Sequence, residues 1–175
     1  MSATQRSKSR EAATANSGAT HVGTFTKLSY HVVFSTKYRR NAITNVIRER
    51  LYEYIGGIVR NLDGSLVEIG GIEDHIHLLV NLPPSKSVSH CIRDIKANAS
   101  KWINELPEIR TTFEWQKGYG AFTVSQSQIE IVRVYIQNQH AHHRTRSFEE
   151  EFIELLRRHE IKFERKYLFE AEHVG

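Results

Sequence analysis

Strict alternation of apolar and polar positions first appears at "KLSYHVVFS". Leu28, Tyr30, Val32 and Phe34 fall on one side and Ser29, His31 and Val33 on the other, the period of a strand. A basic connection, "TKYRRNAI", follows. From Thr44 to Arg60 the residues Ile47, Leu51, Tyr54, Ile55 and Ile58 recur at helical spacing. Asn61, Asp63 and Gly64 form a turn signal, "SLVEIG" reads as a second strand, and Gly70-Gly71 with Glu73-Asp74 lead into a third, "HIHLLVN". Pro83-Pro84 stops it. Val88, Ile92, Ile95, Ala99, Trp102 and Ile103 predict an amphipathic helix from Ser85 or Ser87 to about Glu105, and "GYGAFTVS" predicts a fourth, short strand. Ser125 with Gln128 has capping-box spacing and opens a helix to about Gln139. Ser147 with Glu150 opens the last one, "FEEEFIELLRRHE", with Phe152, Leu155, Leu156 and His159 along one stripe.

The order strand, helix, strand, strand, helix, strand is that of an α+β, ferredoxin-like split βαβ sheet, here with extra C-terminal helices. In such a sheet the first and third strands are central and paired, and the two crossover helices cover one face. Parity then sends Ile76, Leu78 and Val80 under those helices. His75, His77 and Leu79 take the opposite face, where His31 is expected to join them. That face needs a cover, and the helix at 126–139 is the candidate. Residues 1–24, rich in Ser, Thr and Ala, are expected to be a flexible tail. Residues 25–146 form the functional domain in this reading, with 147–175 packed on it.

Composition narrows the chemistry. The 175 residues suit one domain, and a single cysteine, Cys91, excludes an internal disulfide and a cysteine-based zinc site. No apolar run approaches the roughly 18 residues of a membrane span, and no signal-peptide pattern opens the chain, so a cytoplasmic protein is expected. A net charge of +4 with ten further histidines permits nucleic acid without requiring it.

The opposite-face pair His75 and His77 can act as a bidentate metal clip or can be ordinary solvated strand residues. In "VRVYIQNQ", Tyr135 and Gln139 stand at i and i+4 on the helix expected to cover them. Alone they read first as a core-edge phenol and a solvated amide. The combination of both pairs is what draws attention to one site.

His75-Ile76-His77, "STKYRR" after the first strand, "WQKGYGAFTVS" around the last strand and "YIQNQ" on the following helix together resemble the single-tyrosine HUH transposases of small bacterial insertion sequences and their palindrome-associated relatives. The resemblance spans about residues 25–170. It implies a metal-dependent tyrosine DNA strand transferase, with Tyr135 as nucleophile and His75, His77 and Gln139 as ligands of Mg²⁺ or Mn²⁺. It also implies a homodimer in which the tyrosine helix of one subunit can serve the other's histidines, acting on single-stranded DNA with end hairpins. A phenol suits such chemistry because phenolate leaves more readily than an alkoxide, which makes the covalent step reversible.

Lys37, Tyr38, Arg39 and Arg40, Arg144 and Arg146, and His31 are candidate DNA contacts, the cations by tracking phosphates and Tyr38 by stacking. Arg93, Lys96 and Lys101 read equally as solvated helix surface. His140, His142 and His143 follow the tyrosine in a stretch expected to be a solvated or phosphate-contacting link, outside the metal site, and Glu73 and Asp74 are expected to be turn residues. Gly118 and Gly120 suit either a hinge or a tight start to the strand. The rival readings are an HUH nicking endonuclease of the relaxase or replication-initiator class, and a domesticated, non-catalytic nucleic-acid binder on the same fold.

Overall fold

Val32 and Phe34 on one strand and Ile76, Leu78 and Val80 on its neighbour are each almost wholly withdrawn from water, and they set the main core layer. A computed structural model describes residues 25–169; the tail expected over 1–24 lies outside the described residues. Strands β1 (Ser29–Ser35), β2 (Ser65–Gly71), β3 (His75–Asn81) and β4 (Gly120–Thr123) form an antiparallel sheet of order β2-β3-β1-β4. The first and third strands are therefore central, as the split βαβ order requires. β1 pairs with β3 from Ser29 opposite Asn81 to Ser35 opposite His75. The turn that leaves β1 is thus held at the His75 end of the sheet, where Thr36 N–H donates to the Asp74 carbonyl.

Helices α1 (Asn45–Asn61) and α2 (Val88–Asn104) lie over one face, with Leu51, Ile55, Ile92 and Ile95 fully buried against it. The other face has two covers rather than one. Helix α3 (Ile129–Gln137) packs on the β2 and β3 side, as expected. Helix α5 (Phe148–Arg158) covers the β1 and β4 side, where Phe148, Phe152, Leu155 and Leu156 close over Val33 and Phe122. A single nine-residue helix is too narrow for four strands, and the apolar stripe of α5 supplies the remainder. Its capping box at Ser147 and Glu150 is formed in both directions.

Two boundaries differ from expectation. Ser125 makes no side-chain cap; its hydroxyl meets that of Ser127, a 3₁₀ turn occupies Gln126–Gln128, and α3 begins at Ile129. The helix also stops short of Gln139. Asn138 leaves helical conformation, with its amide donating to the Val134 carbonyl at 2.8 Å, and a separate turn, α4 (Gln139–His142), follows. An asparagine that bonds the local backbone competes with helix continuation, which accounts for the break.

The seat of α3 is set by Gly70. A Cβ there would lie 2.4 Å from the Ile136 carbonyl oxygen, so the helix backbone rests directly on β2. Gly120 is explained by a similar approach, because a Cβ there would lie 2.8 Å from the Phe152 ring. That contact is the tight start to the strand rather than evidence for a hinge. Gly70→Ala is expected to destabilise the protein by about 1–3 kcal/mol, the usual cost of overpacking. Urea denaturation measures this, and an unchanged midpoint would show that α3 does not depend on that contact.

Candidate active site

The pleat of β3 turns His75 and His77 away from the main core and under α3 and α5, where both are fully buried. Each ring is held by its outer nitrogen. His75 Nδ1 lies 2.7 Å from Asp74 Oδ1, and because a carboxylate accepts, that nitrogen carries the proton and Nε2 faces inward. His77 Nδ1 lies 2.9 Å from Nε2 of His31, which joins the histidine face from the neighbouring strand. A third ring belongs to the cluster: His143 Nδ1 donates to the Arg146 carbonyl at 2.8 Å, and its side chain is only 6% exposed.

The inner nitrogens meet the amide of Gln139 and the carboxylate of Glu151. Gln139 Oε1 is 3.3 Å from His75 Nε2 and 3.0 Å from His143 Nε2. Glu151 Oε2 is 3.3 Å from His77 Nε2, 3.2 Å from His143 Nε2 and 3.7 Å from His75 Nε2. Its other oxygen, Oε1, accepts from the Tyr135 hydroxyl and, at 2.9 Å, from Gln139 Nε2. The break at Asn138 allows this. It turns Gln139 fully inward while Tyr135 keeps one side toward solvent, its ring edge on to His31 and His77.

Burial governs the electrostatics. It pulls His31 down to about 3, with the His77 ring adding to the effect, and pulls His77 down to about 4 against the upward pull of Glu151. Burial alone would raise the Glu151 carboxyl. The hydrogen bond from His143 and the close approach of the His77 ring outweigh it and hold that group far below the usual carboxylate range. For His143 burial again works downward, but the bond and charge of Glu151 raise it overall. Tyr135 is raised above the ordinary phenol range by burial and then by the Glu151 charge.

The donors fit a divalent cation. Ligand atoms of His75, His77, His143 and Glu151 all lie within 4.8 Å of one another, and Gln139 Oε1 borders them. His77 Nε2 is buried without a hydrogen bond, its 3.3 Å approach to Glu151 lacking the geometry for one. An orphaned buried nitrogen aimed at a carboxylate and two other imidazole nitrogens is what a cation would satisfy.

The structure thus brings together five of the residues singled out from sequence: His75, His77, Tyr135, Gln139 and His31. The basic positions lie on other segments, and of them Arg146 touches the cluster. Lys37 pairs with Glu114 at 2.8 Å, Lys37 and Arg40 flank the Tyr38 ring, and Arg39 lies over Phe169, all on the turn leaving the His75 end of the sheet. Tyr38 and Arg39 there have left-handed φ of 56° and 54°. Arg144 is exposed, and Arg146 adjoins the cluster through its carbonyl. Lys96 instead ties down the carbonyls of Gln116, Lys117 and Gly118, and Arg93 meets Asp94 and His90. Glu73 pairs with Arg48, which also contacts His140.

Two residues of the cluster escaped the sequence reading. His143, expected in a solvated link, is drawn in by Arg146 and Glu151. Glu151 sits in an acidic run, yet at i+3 from Phe148 and i−4 from Leu155 it falls on the apolar stripe of α5. A carboxylate on the inward face of a helix was the available signal.

The chain matches the family model described as "Transposase IS200 like" over residues 24–139. It is 31% identical over 119 residues to the transposase for insertion sequence element IS200 of Salmonella typhimurium, covering 63% of this chain and 75% of that protein. It is 23% identical over 119 residues to the ISDra2 transposase TnpA of Deinococcus radiodurans, covering 65% of this chain and 85% of that one. Among solved structures, one from Deinococcus radiodurans R1 shares the fold with a TM-score of 0.56 at 23% identity, covering 70% of this chain and 98% of that one. A REP-associated tyrosine transposase bound to a REP hairpin does so with a TM-score of 0.54 at 16% identity, covering 72% and 74%.

The depressed imidazoles make stability fall in acid. A group with a folded pKa below its unfolded value contributes stability above the unfolded value and loses it as pH falls through the folded one. For His31 and His77 that window runs from 6.5 down to about 3 and about 4 respectively. With chelator present, the thermal unfolding midpoint is expected to drop steadily from pH 6.5 to 4. A flat midpoint across that range would show these rings to be already charged or solvated.

Proposed function

Since the chain belongs to the IS200-like transposase family, we propose that it cleaves and rejoins single-stranded DNA at insertion-sequence ends by transesterification through a 5′-phosphotyrosine on Tyr135. One observation carries this reading: the Tyr135 hydroxyl and the inner nitrogens of His75 and His77 share a single buried carboxylate, Glu151, within one chain. A phenol has no structural need of such a setting.

The Tyr135 oxygen attacks the scissile phosphorus in line as its proton is lost to solvent, the bond to the 3′ oxygen breaks, and that oxygen takes a proton from solvent water to become the free 3′-hydroxyl. The reverse attack, by a 3′-hydroxyl on the phosphotyrosine, restores the phosphodiester without ATP. Because the phenol is raised above its usual range, it must lose its proton as it attacks; Glu151 Oε1 accepts its hydrogen bond and orients it, and a carboxyl held so low hands the proton on to solvent rather than keeping it. His75, His77 and Gln139 are the residues that would hold Mg²⁺ or Mn²⁺, with the two rings aimed by Asp74 and His31. When bound, such a cation supplies Lewis-acid polarisation of a non-bridging phosphate oxygen.

A cavity of about 450 Å³ between β4, α3 and α5 opens onto Tyr135, with Phe122, Ile131, Arg158 and His159 among its walls. It gives a single strand an approach to the nucleophile from solvent. The cations at 37–40 and 144–146 would track phosphates of the bound strand, with Tyr38 available to stack on a base. A homodimer of this cytoplasmic enzyme would bring two DNA ends together, each chain carrying one.

Tyr135→Phe should reduce the denaturant-stable protein–DNA adduct to background while hairpin binding persists. Incubation with single-stranded DNA spanning an element end and Mn²⁺, resolved on a denaturing gel, measures it. Adduct formation by the variant at the parent level would falsify the assignment.

A further inference from the structure

Resting on the metal-assisted reading above, the geometry points to Glu151 and His143 as two further metal ligands. Glu151 is inferred to bridge the cation and the nucleophile. The two Glu151 oxygens face different partners: Oε2 looks toward the imidazole nitrogens of His75, His77 and His143, whereas Oε1 holds the Tyr135 hydroxyl and the Gln139 amide. Ligand atoms about 2.0–2.2 Å from one ion lie roughly 3 to 4.4 Å from each other. The separations from Oε2 to the three rings, 3.3 Å to His77, 3.2 Å to His143 and 3.7 Å to His75, fall inside that range.

The outer nitrogens argue the same way. Asp74, His31 and the Arg146 carbonyl each engage the Nδ1 of one ring, and all three Nε2 atoms converge on the point that Oε2 addresses. That is the arrangement by which proteins orient metal-bound histidines. A simple ion pair would not leave His77 Nε2 buried and without a hydrogen bond. The family match ends at residue 139, four residues before His143 and twelve before Glu151, so these two ligands are contributed by the segment that follows it.

The donor set also selects the ion. Three imidazoles, one carboxylate and one amide oxygen suit a transition ion such as Mn²⁺ or Zn²⁺, whereas Mg²⁺ prefers an all-oxygen shell and gives up water reluctantly. In this arrangement Oε1 stays on the phenol, so Glu151 fixes the nucleophile at a set distance from the cation.

Calorimetric titration of the full chain with MnCl₂ and with MgCl₂ tests this without a DNA reaction. The parent protein is expected to bind Mn²⁺ at least tenfold more tightly than Mg²⁺. Glu151→Gln and His143→Asn are each expected to weaken Mn²⁺ binding at least tenfold, and His75→Ala to abolish it. Parent-like Mn²⁺ binding by both Glu151→Gln and His143→Asn, with loss only in His75→Ala, overturns the inference and leaves the metal-assisted reading standing. Parent-like binding by His75→Ala as well removes that reading and the inference with it. Circular dichroism melts accompany each variant. Should Glu151→Gln not fold, Glu151→Asp with Mn²⁺ keeps the test: retained binding supports a carboxylate ligand, and complete loss in a folded His143→Asn supports the ring.

Discussion

A carboxylate shut away from water must be answered by donors or by a cation, and much of this molecule is arranged around that demand at Glu151. Its neighbours come from four separate stretches: β3 gives two imidazoles, α3 a phenol, α4 an amide and the link after α4 a third imidazole, while α5 carries the carboxylate itself. The histidines of β3 are about sixty residues from the rest, which lie between 135 and 151 and are turned toward one another by the break at Asn138 and the link before α5. The sheet order, the double cover of its second face and the helix break are each necessary for these groups to meet.

The fold works as two cores sharing one sheet. Under α1 and α2 the packing is aliphatic and continuous. Over the other face it is aromatic at the α5 side and polar where the histidines stand, with Phe148 stacked on His75 at a centroid distance of 4.3 Å. The stable side carries the chain topology, and the polar side carries the chemistry. Gly70 joins the two by letting the backbone of the tyrosine helix rest on β2.

Most of the sheet was legible because a strand with one buried face must alternate, and the parity that sends Ile76, Leu78 and Val80 inward leaves His75 and His77 on the far side. Tyr135 and Gln139 were legible as a pair for the same kind of reason, the helical period. What escaped was what depends on competition between partners. The pairing of Ser125 with Ser127 in place of a cap, and the capture of helical bonding by Asn138, are settled by local alternatives of nearly equal energy. His143 looked solvated because its segment has no periodicity; a backbone carbonyl and a carboxylate, both brought by later residues, hold it. Glu151 looked like one acid among three, although only the one in phase with Phe148 and Leu155 is buried.

The place of α5 after the tyrosine helix has a consequence for assembly. Sheet, crossover helices and tyrosine helix all leave the ribosome before Phe148, and a nascent chain paused there would hold imidazoles, phenol and amide but not the carboxylate that joins them. The last piece of this polar cluster to be synthesised is thus its hub, and the constellation closes only once that amphipathic segment docks.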